Sequence, residues 1–161
     1  MRPHSLVIRF VALLGLLGGW EAVVRAEQAP ASGASAQVAI RVIYAVKDPV
    51  KSIDPQLQDI QGELQDLPFS KFRLLDRMES TVGMNSTVEL QLPGKQTISV
   101  QFNGMERVKD KRFLSLELAM KPAVKIQLSI ADGGRTLLVG PSHSDGKLIL
   151  DVSATFKETK K

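Results

Sequence analysis

Apolar and polar residues alternate along most of the chain after residue 36, and a period of two predicts β-strands. The first alternating stretch is QVAIRVIYAV, where several of the intervening residues are also apolar. Such a strand is covered on both faces, so we expect it to be central in its sheet. Its alternating positions are Val38, Ile40, Val42 and Tyr44.

One segment has the period of a helix instead. Asp54 places a capping acceptor before Pro55, a residue that is favourable at the first helical position, and Pro68 ends the segment. Between them the apolar residues recur at spacings of three, four and three, on one face of a helix. We expect this helix to cover one face of a sheet; docking into a groove of a partner is the alternative. The apolar residues are Leu57, Ile60, Leu64 and Leu67.

The period of two returns after Pro68 and continues to the end of the chain. A strand is predicted from Phe72 to Val82 with a bulge near Leu75 and Asp76, and Pro93-Gly94-Lys95 is the turn of a hairpin with one solvated face. Other strands are predicted at Val88–Leu92, Ile98–Phe102, Leu114–Met120, Val124–Ile130, Leu137–Val139 and Leu148–Ala154.

These elements predict an α+β domain. It opens with a strand-helix-strand order like that of a βαβ unit and continues as a mostly antiparallel sheet of about seven to eight strands, sandwich-like or strongly twisted. Leu137, Val139, Leu148 and Leu150 are expected to anchor the core. Neutral outward residues indicate a sheet whose edge could accept another strand. These residues are Thr97, Ser99, Gln101 and Asn103.

The N-terminus predicts export. Residues 1–26 combine arginines with a short apolar run and end in Val24-Arg25-Ala26, the pattern of a cleaved signal peptide. The apolar run is shorter than the ~20 residues of a membrane-spanning helix, and a retained anchor is the alternative. Residues 27–36 form a small, polar leader, residues 37–156 a single domain, and residues 157–161 a basic tail. A periplasmic or secreted location follows.

The composition narrows the class of partner. The chain has no cysteine, so neither disulfides nor a lipid-attachment cysteine is available. Its formal charge of +4 comes from 21 basic and 17 acidic residues. Removal of residues 1–26 leaves 18 and 16, a charge of +2, because Arg2, Arg9 and Arg25 leave with Glu21. Basic and acidic residues are mixed, as in the predicted hairpin tip at residues 106–112, so we expect no nucleic-acid partner.

The candidate chemistry is concentrated in one loop, PSHSDG. Ser142, His143, Ser144 and Asp145 are the residue types of nucleophilic catalysis, but neighbours in sequence diverge in space and no GxSxG elbow is present. Pro, Ser, Asp and Gly are also typical of a loop between strands. We therefore predict no catalytic residue and expect these four residues to form a partner-contact loop. A small hydrolase using His143 and nearby carboxylates is the alternative; Asp76 and Glu79 are the nearest acidic pair outside the helix.

Metal and cofactor motifs are lacking in the sequence. His143 is the only histidine after residue 26, no ligand spacing of the HExxH kind occurs, and the Asp-Gly turns lack the alternating ligands of a calcium loop. No glycine fingerprint for a nucleotide occurs either. We predict no metal site and no cofactor.

The segment VKIQLSIADGGRTLLVGPSHSDGKLILDVSATF resembles the strand, DGG turn and returning strand near the end of secretin-type outer-membrane proteins. More generally the chain is similar to small uncharacterised exported proteins of Gram-negative bacteria. Pro141 follows Gly140 where a second glycine often stands in the secretin pattern, and no long pore-forming segment is present. The resemblance implies a component of an envelope or secretion assembly.

The expected function is therefore that of a non-enzymatic exported domain that binds a protein partner in the bacterial envelope. No membrane span is expected after cleavage of the signal peptide. The sequence leaves the partner and the oligomeric state open, and calcium or lipid binding through the loops is a third alternative.

Overall fold

The computed structural model describes residues 33–121 and 124–158. The predicted signal peptide, residues 27–32 of the leader and residues 159–161 of the tail lie outside the described residues. Strand β1 begins at Ala34, three residues before the predicted start of the domain, and Ala36 is fully buried. The last strand, β9, ends at Glu158.

The described residues form nine strands and one short helical segment. The strands are β1 (Ala34–Val46), β2 (Ser52–Ile53), β3 (Lys71–Gly83), β4 (Thr87–Leu92), β5 (Gln96–Val108), β6 (Lys111–Met120), β7 (Val124–Ala131), β8 (Arg135–His143) and β9 (Gly146–Glu158). The helical segment is a 3-10 helix, Pro55–Ile60, that continues into the α-helix α1, Gln61–Gln65.

The strands form two sheets that pack as a sandwich. Sheet A has the order β2-β3-β1-β9-β8, and sheet B has the order β4-β5-β6-β7. All neighbouring strands are antiparallel except β2 and β3, which pair through only two residues each. Because β1 and β3 pair antiparallel, the βαβ-like opening is wrong. A strand-helix-strand order in sequence does not fix the direction in which the second strand returns.

The main core lies between the two sheets. The even-numbered apolar residues of β1 up to Val42 face sheet B, together with Leu148, Leu150 and Val152 of the neighbouring strand β9. Sheet B contributes Phe102 and other fully buried side chains of β5 and β6. Burial of each large apolar side chain stabilises the fold by roughly 1.5–3 kcal/mol, so this layer supplies most of the driving force.

A second, smaller core lies on the outer face of sheet A. Leu57, Ile60 and Leu64 of the helical segment are fully or almost fully buried. They pack against Ile43, Ala45, Phe72 and Ile149 of the sheet. Strand β1 is therefore covered on both faces and lies between β3 and β9, which confirms that it is central.

The helical segment differs from the single amphipathic helix predicted over residues 54–67. Its cap is as predicted: the Asp54 side chain accepts a hydrogen bond from the Gln56 backbone N–H at 3.0 Å. The first half is a 3-10 helix, in which residues three apart lie on one side, and this geometry buries Leu57 and Ile60 together. Leu64 lies four residues after Ile60, a spacing that suits one turn of α-helix. The sequence predicts one helical period, whereas the segment consists of two successive helix types.

The predicted bulge on β3 is confirmed. Val42 of β1 pairs with Asp76, whereas Ile43 pairs with Leu74, so Leu75 is the extra residue. The predicted hairpin with a turn at Pro93-Gly94-Lys95 is formed by β4 and β5. These local predictions succeed because alternation and turn residues are properties of adjacent positions.

The fold is mostly β, with more strands and less helix than the α+β prediction implied. Strand β2 was missed because two residues carry no measurable period. Val139 was predicted as a core anchor but is 50% exposed, so that prediction is wrong. It pairs with Ile149 on the outer face at an edge of sheet A that the helical segment leaves open, while Leu138 packs into the main core in its place.

We predict that Leu64→Ala lowers the free energy of unfolding by about 2–5 kcal/mol, because it removes a fully buried side chain from the smaller core. The neighbouring exposed change Gln65→Ala should alter it by less than about 0.5 kcal/mol. Urea denaturation measures both. Equal effects of the two substitutions would contradict the packing of the helical segment on sheet A.

Candidate functional site

The predicted contact loop is the tip of the hairpin formed by β8 and β9. Ser142 pairs with Lys147 and His143 pairs with Gly146, so Ser144 and Asp145 form a two-residue turn. Ser144 has a φ of 51°, which belongs to the left-handed region. Ser142, Ser144 and Asp145 are exposed, and His143 is half-buried. The structure thus places the four residues at one end of sheet A.

Asp145 is engaged by a tyrosine of the central strand. The Tyr44 hydroxyl donates a hydrogen bond to Asp145 Oδ1. This bond favours the protonated phenol and the ionised carboxylate, so it raises the pKa of Tyr44 and lowers the pKa of Asp145. The Arg73 guanidinium lies 5.9 Å from the centre of the Tyr44 ring. Strand β1 therefore holds the turn in place from the adjacent position in the sheet.

The structure does not join His143, Ser142 and Asp145 into a catalytic arrangement. Within residues 33–121 and 124–158, the His143 ring makes no hydrogen bond to the side chains of the loop. A serine nucleophile needs its base within hydrogen-bond reach, and the base needs an orienting partner. The small-hydrolase alternative named Asp76 and Glu79 as the nearest acidic pair. These two residues are also separated, because Asp76 pairs with Val42, which faces inward, and Glu79 pairs with Ala39, which faces outward.

His143 instead marks a contact between the two sheets. Its ring meets the Tyr44 ring edge-on, with centroids 5.8 Å apart and planes at 80°. Across from it lies the β4–β5 turn, where Gly94 has a φ of 84° and a β-carbon would lie 3.3 Å from His143 Nδ1. Glycine therefore suits this turn in both backbone conformation and size. The loop and the turn together form one end of the sandwich.

The edges of the two sheets differ in how well they are protected against pairing with another chain. Strand β8 contains Pro141 and an irregular register between Val139 and Ser142. The open part of β3 carries the Leu75 bulge and several charges, and β4 has only six residues. Bulges, prolines, charges and short length all hinder the addition of a strand. Strand β7 has eight residues without a proline, glycine or bulge, and its one charged residue, Lys125, is paired with Glu117.

The outward side of β7 can be assigned from one hydrogen bond. Asp132, directly after β7, donates its backbone N–H to the backbone oxygen of Arg112, at 2.9 Å. Hydrogen-bonded positions alternate in an antiparallel pair, and the β6–β7 register has no shift. The even-numbered residues of β7 therefore bond to β6. Lys125, Gln127 and Ser129 direct their backbone N–H and C=O groups away from the sheet, where no strand of the described residues pairs with them.

The neutral outward residues that indicate a sheet with an available edge lie on an interior strand of sheet B. Thr97, Ser99 and Gln101 belong to β5, which pairs with β4 on one side and β6 on the other. Asn103 is the extra residue at a bulge between Phe102 and Gly104. The solvated face was predicted correctly, but strand order decides which strand is the edge.

A charged depression on the outer face of sheet A was not predicted. It has a volume of about 210 Å³ and lies beside the helical segment. The small residues Ala39 and Ser153, directly opposite each other on β1 and β9, line it between larger neighbours. The charged side chains that line it are Arg41, Asp59, Arg77, Glu79, Arg135 and Asp151.

Arg41 is the centre of this depression. Its Nε donates to Asp151 Oδ2 at 2.7 Å, and its two terminal nitrogens donate to the two oxygens of Asp59, each at 2.9 Å. Arg135 Nη1 donates to Asp59 Oδ2 at 2.8 Å. These bonds, first that from Arg41 and then that from Arg135, hold the pKa of Asp59 far below its ordinary value. The network ties the 3-10 helix to β1, β8 and β9.

Two single charges within apolar stretches of the sequence are signals that could have indicated this depression. Arg41 interrupts the apolar stretch VAIRVIYA, and Asp151 interrupts LILDVSA. A charge within each of two central strands calls for a compensating partner, because an isolated buried charge costs several kcal/mol. Neither pattern shows that the two residues lie opposite each other, which is a matter of register.

The described ranges contain no group of three or more His, Cys, Asp or Glu residues placed to hold a metal ion. In the same ranges, none of the helical residues forms a segment long and apolar enough to cross a membrane.

We predict that Tyr44 titrates above the ordinary value of about 10 for tyrosine and that Asp145→Asn brings its pKa down, because the ionised acceptor is lost. Tyr44 is the only tyrosine of the chain, so absorbance at alkaline pH reports it alone. Asp110→Asn, in the distant β5–β6 turn, is the control and should leave the titration unchanged. An ordinary pKa in the unchanged protein would contradict the hydrogen bond.

The depressed pKa of Asp59 predicts how stability depends on pH. The carboxylate contributes above its unfolded pKa of about 3.9, and this contribution is lost as pH falls through the lower folded value. Asp59→Asn should therefore lower the free energy of unfolding at about pH 7 by no more than about 1 kcal/mol, because the side chain is 47% exposed, and the two proteins should converge toward about pH 2.

Urea denaturation across this pH range tests the prediction. Asp66→Asn, an exposed acid at the end of α1, is the matched control. A constant difference between the Asp59 variant and the unchanged protein from neutral to acidic pH would argue against the ionised contact.

Comparison with known proteins returned no match: no family model fits the chain, and no curated protein or solved structure is detectably similar to it.

Proposed function

We propose that this chain is a non-enzymatic, exported domain of the bacterial envelope that binds a protein partner by strand addition along β7. The observation that carries the proposal is the unprotected edge: eight regular residues whose odd-numbered positions direct backbone donors and acceptors outward. The signal-peptide pattern of residues 1–26 supports export, and the secretin-like C-terminal pattern supports a place in an envelope assembly.

The side chains along β7 define the chemistry of the partner segment. Val124 is 46% exposed, and Ile126 and Leu128 are half-buried at the rim of the main core. On the other face Gln127 and Ser129 are neutral, and Lys125 is paired with Glu117 at 3.0 Å. An added strand with apolar residues on one face and neutral polar residues on the other matches both faces of β7.

A depression next to β7 supplies a position for a side chain of the added strand. It has a volume of about 230 Å³ on the outer side of sheet B. Phe113 and Leu128 provide apolar surface, Ser115, Gln127 and Ser129 provide hydrogen-bonding groups, and Glu106 adds one carboxylate. Backbone hydrogen bonds supply affinity in strand addition and such side-chain positions supply specificity.

A proline at Gln127 tests the role of the edge. Gln127→Pro removes an outward backbone N–H and introduces a ring on that side, while the ladder between β6 and β7 uses the even-numbered residues. We expect Gln127→Pro to reduce recovery of the partner from envelope extract by about tenfold or more. Gln127→Thr keeps the N–H and suits a strand, so it should recover the partner as the unchanged protein does.

Two measurements complete this test. Urea denaturation of both variants shows whether the proline acts through folding, and Ser129→Pro repeats the test at the next outward position. Equal recovery by the proline and threonine variants would remove β7 as the binding edge. Failure of the unchanged protein to recover any partner would contradict the protein-binding function itself.

A further inference from the structure

Two of the charged side chains that line the charged depression take no part in the Arg41 network. Arg41, Asp59 and Arg135 connect the helical segment to sheet A, as described above. Arg77 and Glu79 belong to β3, are exposed, and have no side-chain hydrogen bond or ion pair with any of the described residues. Both line the same depression as the Arg41 network. Their charges are therefore available to a ligand.

Asp151 adds a buried acceptor. The residue is 4% exposed and lines the depression, and its Oδ2 accepts from Arg41. Its Oδ1 is buried and accepts no hydrogen bond from any group in residues 33–121 and 124–158. Buried carboxylate oxygens in folded proteins are almost always hydrogen-bonded, and one without a donor requires an explanation. A ligand N–H would satisfy it once the Asp151 carboxylate turns slightly toward the depression on binding.

The balance of charge restricts what kind of ligand fits. Three arginines and three carboxylates line the depression, so their formal charges cancel. A simple anion would be attracted to Arg77 and Arg135 but repelled by Glu79 and Asp151. A simple cation would meet the opposite conflict. A ligand that carries both charges can place each against its complement, since charge complementarity rewards matched arrangements and penalises like-charge contacts.

We propose that this depression binds an amino-acid-sized zwitterion. The ligand carboxylate faces Arg77 and Arg135, and its ammonium group donates to Asp151 Oδ1 and faces Glu79. The volume of about 210 Å³ is below the ~300–1,000 Å³ of pockets for drug-sized ligands, so only a small molecule is accommodated. Arg41 and Asp59 position Asp151 and Arg135 and bind no ligand themselves. The site is separate from β7 and does not depend on the protein-binding function.

Five small probes separate the requirements of the site. Glycine and β-alanine carry both charges and N–H donors; acetate carries only the negative charge, and methylammonium only the positive one. Glycine betaine keeps both charges but has no N–H. We expect saturable shifts of the Ala39 and Ser153 amide signals in nuclear magnetic resonance spectra with glycine or β-alanine. The other three probes should bind at least about fivefold more weakly.

Two variants test the assigned roles without disturbing the Arg41 network. Arg77→Gln and Glu79→Gln should each weaken binding of glycine by about fivefold, because each removes one exposed charge that faces the ligand. Glu63→Gln, an exposed acid on α1 outside the depression, should leave it unchanged. The amide spectra of the three unliganded variants verify that the fold is retained.

The results that overturn the proposal are distinct from those that concern β7. Absence of saturable shifts with both zwitterions would remove the site. Acetate as strong as glycine would make it a simple anion site, and betaine as strong as glycine would remove the role of Asp151 Oδ1. Gln127→Pro should leave binding of glycine intact, and Arg77→Gln should leave recovery of the protein partner intact, so either proposal can fail alone.

Discussion

Arg41 lies in the middle of the central strand of sheet A, with a side chain that is only 13% exposed and a charge that must be compensated. Asp151 compensates it from the neighbouring strand and Asp59 from the helical segment. Removal of water from a charge costs several kcal/mol, which is recovered only when well-placed partners are present. Together with the apolar contacts of Leu57, Ile60 and Leu64, this requirement orients the helical segment on sheet A. It also divides the outer face into an apolar end under the helix and a charged end beside it.

The apolar end and the charged end of the outer face of sheet A differ in what covers them. Under the helical segment, Ile43, Ala45 and Ile149 are fully buried, and β1 becomes a strand with apolar contacts on both sides. Beyond Arg41 the face is open, and small residues in the strands leave the charged depression. The only residue of the helical segment that lines this depression is Asp59, in its 3-10 part.

The two proposed binding surfaces lie on different sheets and depend on different interactions. Strand addition along β7 depends on backbone hydrogen bonds and on apolar contacts at the rim of the main core. The charged depression depends on side-chain charges and a single buried acceptor. The β7 surface belongs to sheet B, whereas the charged depression lies on sheet A beside the helical segment.

The sequence alone determined the local features of this protein. Alternation located the longer strands, the bulge at Leu75 and the turn at Gly94, and the spacing of Leu57, Ile60 and Leu64 located the buried face of the helical segment. Each depends on residues that are neighbours along the chain.

The tertiary structure decided everything that depends on strand order and register. It made β7 an edge, paired Tyr44 with Asp145, exposed Val139, and placed Arg41 opposite Asp151. Arg41 and Asp151 are 110 residues apart in sequence. No periodicity specifies a contact of that separation, because pairing between distant strands is chosen by the packing of the whole core.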